Sequence, residues 1–270
     1  MRPIPGATTM NLLFTLRVGS YFGAFASLLL VERLAPFAGS EQRKSSRVIF
    51  HLGLGVVNSI VLYAVMAWPI YLTLSFEQSN RIGLSHFLGL TGWVEIALTA
   101  IALDFWDYWM HRANHRIGIL WRFHKAHHSD MELDVTTASR FHIGELIISN
   151  CVKCLAILAW GPSFWGLVCF DAFLTGASQF HHSNIGIPLG IQDVIEKIIV
   201  SPRMHRYHHA LHNNCTNTNF STVLSVWDRI CGSYHWAREV SELEPIGLFK
   251  PRGPLTMQLK PLLLTPIQKN

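Results

Sequence analysis

The sequence predicts an all-α, multi-pass membrane protein. It has about four transmembrane helices, the last two forming a helical hairpin, beneath a cytosolic histidine-rich helical cap. Three observations carry this expectation. Charged residues make up 14% of the 270-residue chain, against ~25% in soluble domains. Half of the residues are hydrophobic, and mean hydropathy is +0.26. The 15 histidines gather mainly in short motifs that begin where apolar runs stop. The net charge of +5 suits an anionic membrane surface. Lys and Arg are spread between apolar runs and form no dense stripe, which argues against nucleic acid as a partner.

The first span is Asn11–Val31, apolar except for Arg17, whose stem can snorkel to an interface. It lacks a basic start and a small-residue cleavage site, so it reads as a retained span. A loop with Arg43, Lys44 and Arg47 leads to a second span, Val48–Leu74. Its His51 and Asn58 read as helix–helix hydrogen-bonding groups. Phe76–His86 reads as a polar turn, and Phe87–Trp109 as the third span. Glu145–Trp160 and Ser163–Ser178 are the arms of a hairpin bent at Gly161-Pro162. Each arm is about 24 Å long, slightly short of a ~30 Å hydrocarbon core. Lys153 and Asp171 interrupt the arms and either pair or face a cavity. Ile191, Val194, Ile195, Ile198 and Ile199 repeat at helical spacing, which predicts an amphipathic helix on the membrane or under the cap. The proline-rich tail after Pro245 reads as an extended strap.

The chain is expected to be one integrated domain. Residues 1–110 form the N-terminal spans, 111–144 and 181–240 the two parts of the cap, 145–180 the hairpin, and 241–270 the tail. Lys and Arg near the span ends place the cap in the cytoplasm, on a bacterial inner membrane or the endoplasmic reticulum. Five cysteines give no even framework for disulfides, and the Cys151/Cys154 pair, set in an apolar helical run, reads as packing. Asn214-Cys-Thr and Asn219-Phe-Ser fit the glycosylation pattern but fall on the expected cytoplasmic side.

The chemistry sits in the histidines. His111 and His115 form HxxxH; His124, His127 and His128 form HxxHH; His205, His208 and His209 form a second HxxHH. Chance would give an HxxHH about 0.05 times in such a chain. On a helix, residues three and four apart share a face, so each motif should aim its imidazoles one way. Imidazole is the commonest metal ligand. Eight histidines exceed the roughly four that one zinc takes, so two metals are expected. Imidazole serves iron, zinc and copper alike and does not name the metal. Asp104 lies almost beneath His111, and it or Asp107 is expected to hold a ring N–H of a ligand.

HRANH, HKAHH and HRYHH, with DFWDYW (104–109) upstream and FHHSN (180–184), SPRMH (201–205) and LSVWDRICGSY (224–234) in order, resemble the fatty acid hydroxylase superfamily, also called the sterol desaturase family. The resemblance covers about residues 30–240. It implies a non-haem diiron enzyme that uses dioxygen to hydroxylate or desaturate a lipid, a sterol or fatty acyl chain among them. It implies His111, His115, His124, His127, His128, His205, His208 and His209 as iron ligands, with His182 completing the shell and zinc as a possible substitute. His181, the neighbour of His182, is a lesser candidate for the site, because neighbours on a helix diverge by about 100°. His142 lies in TTASRFHIGE (136–145), similar to the family's TxxRFHPxE stretch but with Ile143 in place of proline; it either lines the site or makes a structural hydrogen bond. Asp228 is expected to pin the cap, a direct role being the lesser alternative. No haem CxxCH and no GxGxxG occurs, so an external electron carrier and reductase are implied. Two other readings are an ether-lipid monooxygenase of the alkylglycerol type and a membrane metal transporter. The transporter is disfavoured because the motifs lie beyond the span ends.

Overall fold

The chain is described by a computed structural model that covers residues 7–39, 44–211, 215–236, 245–248 and 257–268, with side chains in the first helix from Tyr21 onward. It is all-helical, with no strand among the described residues. The long elements are α1 (Ala7–Leu34), α2 (Lys44–Asn80), α4 (Gly92–Arg116), α6 (Ile143–Trp160) and α7 (Phe164–His182); α3 (Leu84–Phe87) is a single turn. Short helices carry or brace the histidines: α5 (Gly118–His128), α8 (Leu189–Ile195), α9 (Pro202–His208), α10 (Val226–Ile230) and α11 (Leu259–Leu263). Two helical stretches, Ser45–Phe87 and Ile143–Trp160, are long and apolar enough to cross a membrane.

The second helix runs further than the sequence suggests. The expected polar turn at Phe76–His86 is helical through Asn80, and the chain reverses at Arg81–Gly83. Pro69 lies inside α2 and offers no amide to the Val65 carbonyl, and Thr73 Oγ1 donates to the Pro69 carbonyl at 2.8 Å. The third span and the HxxxH motif are one helix: α4 continues past Trp109 to Arg116 and carries His111 and His115 on its last turns.

The hairpin bends at Gly161, in the left-handed region at φ 77°. A Cβ there would lie 2.5 Å from the Ile82 carbonyl, so glycine is required. Ser163 then caps α7, its Oγ accepting from Gly166 N at 2.9 Å. Apolar surface gains little by leaving lipid for a helix–helix interface, so polar bonds matter at such contacts. Glu95 of α4 accepts both the amide and the hydroxyl of Ser163. Trp160 Nε1 donates to Thr99 Oγ1 at 2.7 Å, and Gln78 donates to the Pro162 carbonyl at 2.7 Å. Between these ties, Leu103, Ala156, Ile157, Leu167 and Phe170 form the buried centre of α4, α6 and α7. Lys153 and Asp171, left open by the sequence, form an ion pair between the hairpin arms.

The histidine-bearing segments gather at the opposite end of α4, α6 and α7. Glu32 of α1 accepts from Val135 N at 2.7 Å and Asn184 N at 2.6 Å, holding the loops after α5 and α7 together. Arg47 of α2 is fully buried and pairs with Asp130, Glu132 and Asp134. His51 bonds Thr136 at 2.7 Å and Asn58 donates to the Phe141 carbonyl at 2.8 Å, both bracing the α5–α6 connection from α2.

Two expectations are corrected. The amphipathic segment is helical only over Leu189–Ile195, and of the two placements the sequence left open its outward apolar side suits the membrane. Gln192 and Glu196 point inward, while Ile191, Val194 and Ile198 are 54%, 60% and 66% exposed. The end of the tail is not an extended strap. It forms α11 and a 3-10 turn at Thr265–Ile267, with Leu262 buried against Leu54 and Ala126. Arg43, Lys44's side chain, His212, Asn214 and most of the tail's first half lie outside the described residues.

Candidate metal centre

Four helix segments deliver nine imidazoles to one end of the bundle. His111 and His115 come from α4, His124, His127 and His128 from α5, His182 from the last residue of α7, and His205, His208 and His209 from α9 and its C-cap. They fall into two groups with ligand atoms within 4.8 Å of one another: His111, His115, His124, His128 and His208; and His127, His182, His205 and His209. The groups adjoin, with His128 and His209 stacked at 4.1 Å. Each HxxHH is therefore split. On α5 the i, i+4 pair His124/His128 serves one group and His127 the other; on α9 the i, i+4 pair His205/His209 serves the second and His208 the first. The expectation that each motif aims one way holds only for the i, i+4 partners, because the remaining histidine is rotated around the helix.

Hydrogen bonds fix how these rings are turned. A carbonyl oxygen only accepts, so a ring nitrogen bonded to one must carry the proton. His111 Nδ1 donates to the Phe220 carbonyl at 2.7 Å and His208 Nδ1 to that of Thr218 at 2.7 Å. His127 Nδ1 donates to Arg140 at 3.0 Å and His182 Nδ1 to Ser178 at 2.7 Å. His124 Nδ1 meets the Glu145 carboxylate at 2.6 Å. The opposite nitrogens then present lone pairs inward. Nε2 of His115, His124, His128 and His208 is buried with no partner, as is Nδ1 of His205 and His209.

In the second group the Nε2 atoms stand 3.0 Å apart for His127–His182, 3.0 Å for His182–His205 and 3.1 Å for His205–His209. His127 and His182 both hold their protons on Nδ1, so no hydrogen bond can join their Nε2 atoms. Two lone pairs at this distance repel unless a cation lies between them. Two nitrogens bound at right angles, each ~2.1 Å from one ion, would be ~3.0 Å apart. Burial keeps the rings neutral. His208 is pushed down to about 3, and His127, His128, His205 and His209 are driven well below the usual imidazole range, in each case first by desolvation. The donor set fits two ions that accept imidazole nitrogen.

The supporting residues divide differently from the sequence expectation. Asp104 holds no imidazole. Its carboxylate accepts from Val223 N, Leu224 N and Trp227 Nε1 and so anchors the loop after α9 to α4. Asp107 accepts from the Thr222 hydroxyl, while the Thr222 carbonyl accepts from His181 Nδ1 at 3.1 Å. His181 packs on His205 at 4.0 Å but belongs to neither group. His142 caps α6, accepting from Gly144 N at 2.9 Å, and its Nε2 bonds the Leu263 carbonyl at 3.2 Å. Asp228 accepts from Phe220 N, Ser221 N and the Ser233 hydroxyl. It pins the strand of loop whose Phe220 carbonyl orients His111. Asn219, in the second glycosylation-like triplet, is buried and donates to the Met204 and His235 carbonyls. His86 pairs with Glu77 and His235 stacks on Tyr207, away from the centre.

Glu145 and Arg140 were not anticipated. Glu145 is a buried carboxylate in the first turn of an otherwise apolar helix, and its sequence signals are that placement and its position as the last residue of the TTASRFHIGE stretch. Arg140 is fully buried; its Nε donates to Ala126 O at 3.2 Å and its guanidinium to Ser129 Oγ at 2.8 Å, while its carbonyl takes His127.

The model for the fatty acid hydroxylase family matches residues 96–233, just over half of the chain, and spans every histidine of both groups. The chain belongs to the fatty acid hydroxylase family. Curated relatives include an ornithine lipid hydroxylase of Rhizobium tropici, 24% identical over 80% of this chain and 66% of the relative. The alkylglycerol monooxygenase of Homo sapiens is 30% identical over 56% of this chain and 34% of its own length. The sphinganine C4-monooxygenase 1 of Arabidopsis thaliana is 29% identical over 79% and 82%. The chain thus spans just under two thirds of the first relative and about a third of the second. No solved structure matches. As a fatty acid hydroxylase family member, the chain places its two histidine groups where α4, α5, α7 and α9 meet.

Proposed function

We propose that the chain is a membrane-embedded oxygenase that hydroxylates or desaturates a lipid at a pair of iron ions held by the two histidine groups. The observation that carries this reading is the buried His127–His182 pair, whose unprotonated Nε2 atoms face one another at 3.0 Å within two groups of clustered imidazoles. The ligands are His111, His115, His124, His128 and His208 for one ion, and His127, His182, His205 and His209 for the other. Bound there, iron would supply activation of dioxygen against an unactivated C–H bond, which side chains do not provide. The chain's own groups do the positioning: carbonyls of Ser178, Arg140, Thr218 and Phe220, with the Glu145 carboxylate, hold each tautomer. Hydroxylation consumes R–H, O2, two electrons and two protons and gives R–OH and water. The electrons come from a separate carrier and reductase.

The lipid reaches the site from the bilayer. α2 presents Ile60, Tyr63 and Trp68 outward, 64–76% exposed, which suits acyl chains and not water. About four helices span, with α6 and α7 as a hairpin, and the histidine cap faces the cytoplasm. The named relatives act on ornithine lipid, alkylglycerol and sphinganine, so a lipid with a polar head is the expected substrate. Ether-lipid oxidation is the second reading, favoured by the 30% identity to alkylglycerol monooxygenases. Purified protein should contain two irons per chain, and lipid mass spectrometry of cells with and without it should show one lipid class gaining an oxygen or losing two hydrogens. A transporter would move metal across vesicles and leave lipids unchanged, and that result would overturn the proposal.

A further inference from the structure

Charge is segregated in this chain. Among the described residues the acidic side chains are mostly buried, the 40% exposed Asp193 being paired with Arg203, whereas Arg33, Arg81, Arg116, Arg122, Lys197, Arg229 and Lys260 are exposed. At the histidine end, two of these bases flank one feature. α4 and α5 meet at a single residue, Ile117, which ends one helix and begins the next. Ile117 N donates to Ala113 O at 2.8 Å and Trp121 N to Ile117 O at 2.9 Å, so the elbow is tightly closed. On it Ile117 and Ile119 are 48% and 58% exposed, with Arg116 on one side and Arg122 on the other. Gly118, Ile119, Trp121 and Arg122 line a shallow open depression there.

The depression has a floor that touches the metal centre. The Trp121 ring lies 5.1 Å from His115, 5.5 Å from His128 and 6.2 Å from His124, centroid to centroid. Phe220 also meets this group, but it is fully buried. Trp121 therefore joins imidazoles of the first group to the protein surface. A small apolar centre with a basic rim is complementary to an acidic protein surface, and charge of this kind steers encounter more than it adds affinity.

We propose that the α4–α5 elbow is the docking surface of an acidic one-electron carrier protein, and that Trp121 is the contact through which electrons enter. The proposal rests on the oxygenase reading, whose stoichiometry requires two electrons per dioxygen. Two reduced carriers are each oxidised by one electron, and dioxygen takes these two together with two from the C–H bond.

The test uses the full chain in nanodiscs, with an acidic plant-type [2Fe–2S] ferredoxin as the probe. Binding is read first on metal-free protein, so a failed oxygenase reading leaves this measurement intact. Ferredoxin should bind, the Kd should rise with salt, and Arg116→Glu with Arg122→Glu should raise it at least tenfold at low salt. Ile119→Asp is a separate variant with the same expected direction. On iron-loaded protein, ferredoxin-supported turnover of the double variant should fall about tenfold while dithionite-supported turnover stays within twofold. Absence of binding, equal binding by the double variant, or equal loss under both reductants would overturn the proposal. So would an effect that vanishes in zwitterionic nanodiscs, since the arginines would then serve anionic lipid.

Discussion

His127 and His182 face each other with Nε2 atoms 3.0 Å apart while each donates its Nδ1 proton to a backbone carbonyl. The pair comes from α5 and α7, 55 residues apart, and neither ring can relieve the other. His182→Ala should therefore lower the iron content from two to about one per chain and reduce lipid turnover by more than about a hundredfold. Metal analysis of purified protein checks the first number; retention of two irons would remove His182 from the ligand set.

Glu145 is the carboxylate behind His124, at 2.6 Å from its Nδ1 and 3.3 Å from Asn114 Nδ2. A carboxylate in this place raises ligand basicity and fixes the ring. Glu145→Gln should weaken iron binding by roughly 10–100-fold at little cost in folding. Chelator competition measures it, and an unchanged affinity would show that the contact is only structural.

Asp228 acts at one remove. It accepts two loop amides and a hydroxyl in a fully buried position, and the loop carries the carbonyl that orients His111. Asp228→Ala strands those donors and should cost about 2–3 kcal/mol of stability. The melting temperature should fall, and iron should be lost at the first group before the second.

The neutral histidines make the metal-free protein sensitive to acid. Burial pushes His208 down to about 3 in the folded chain, against about 6.5 for a free imidazole. Between those values the unfolded chain binds a proton that the folded chain refuses. This contribution is fully present above about pH 6.5 and is lost as the pH falls toward 3. The other cap histidines shift the same way. Thermal unfolding of metal-free protein in detergent should show a falling midpoint below about pH 6.5, at roughly 2–4 °C per kcal/mol lost. A flat profile from pH 7 to 5 would contradict this.

Much of this arrangement was legible in the chain because the motifs are local. Histidines four apart must share a helix face, and apolar runs of span length stand out against a sparsely charged sequence. The HxxHH motifs misled in one respect: three residues looked like one set, whereas the fold turns the i+3 histidine toward a different group than its i, i+4 neighbours. Asp104 shows a second limit. Helical periodicity placed it below His111, but the loop at Val223–Leu224, more than a hundred residues on, claims its oxygens. Glu145 and Arg140 were missed for the same reason. Their partners are set by how α5 and α6 pack, which no spacing within either segment records. The tail's helical end is also tertiary: its Leu262 finds Leu54 and Ala126 only once α2 and α5 are side by side.

The outward aliphatic side of α8 bears on where the proposed oxidation would happen. Its inward carboxylate, Glu196, accepts from Ser201 Oγ at 2.5 Å and from Arg203 at 2.9–3.0 Å, the residues that open α9 and its three histidines. Its outward side is mainly aliphatic, with Leu189, Ile191 and Val194 at 50–60% exposure. On the proposed function, such a segment would lie where oil meets water and would carry the third histidine motif with it. The height of the proposed reactive centre over the acyl chains would thereby be gauged from the lipid surface, making the oxidised carbon a matter of how far down the chain it lies.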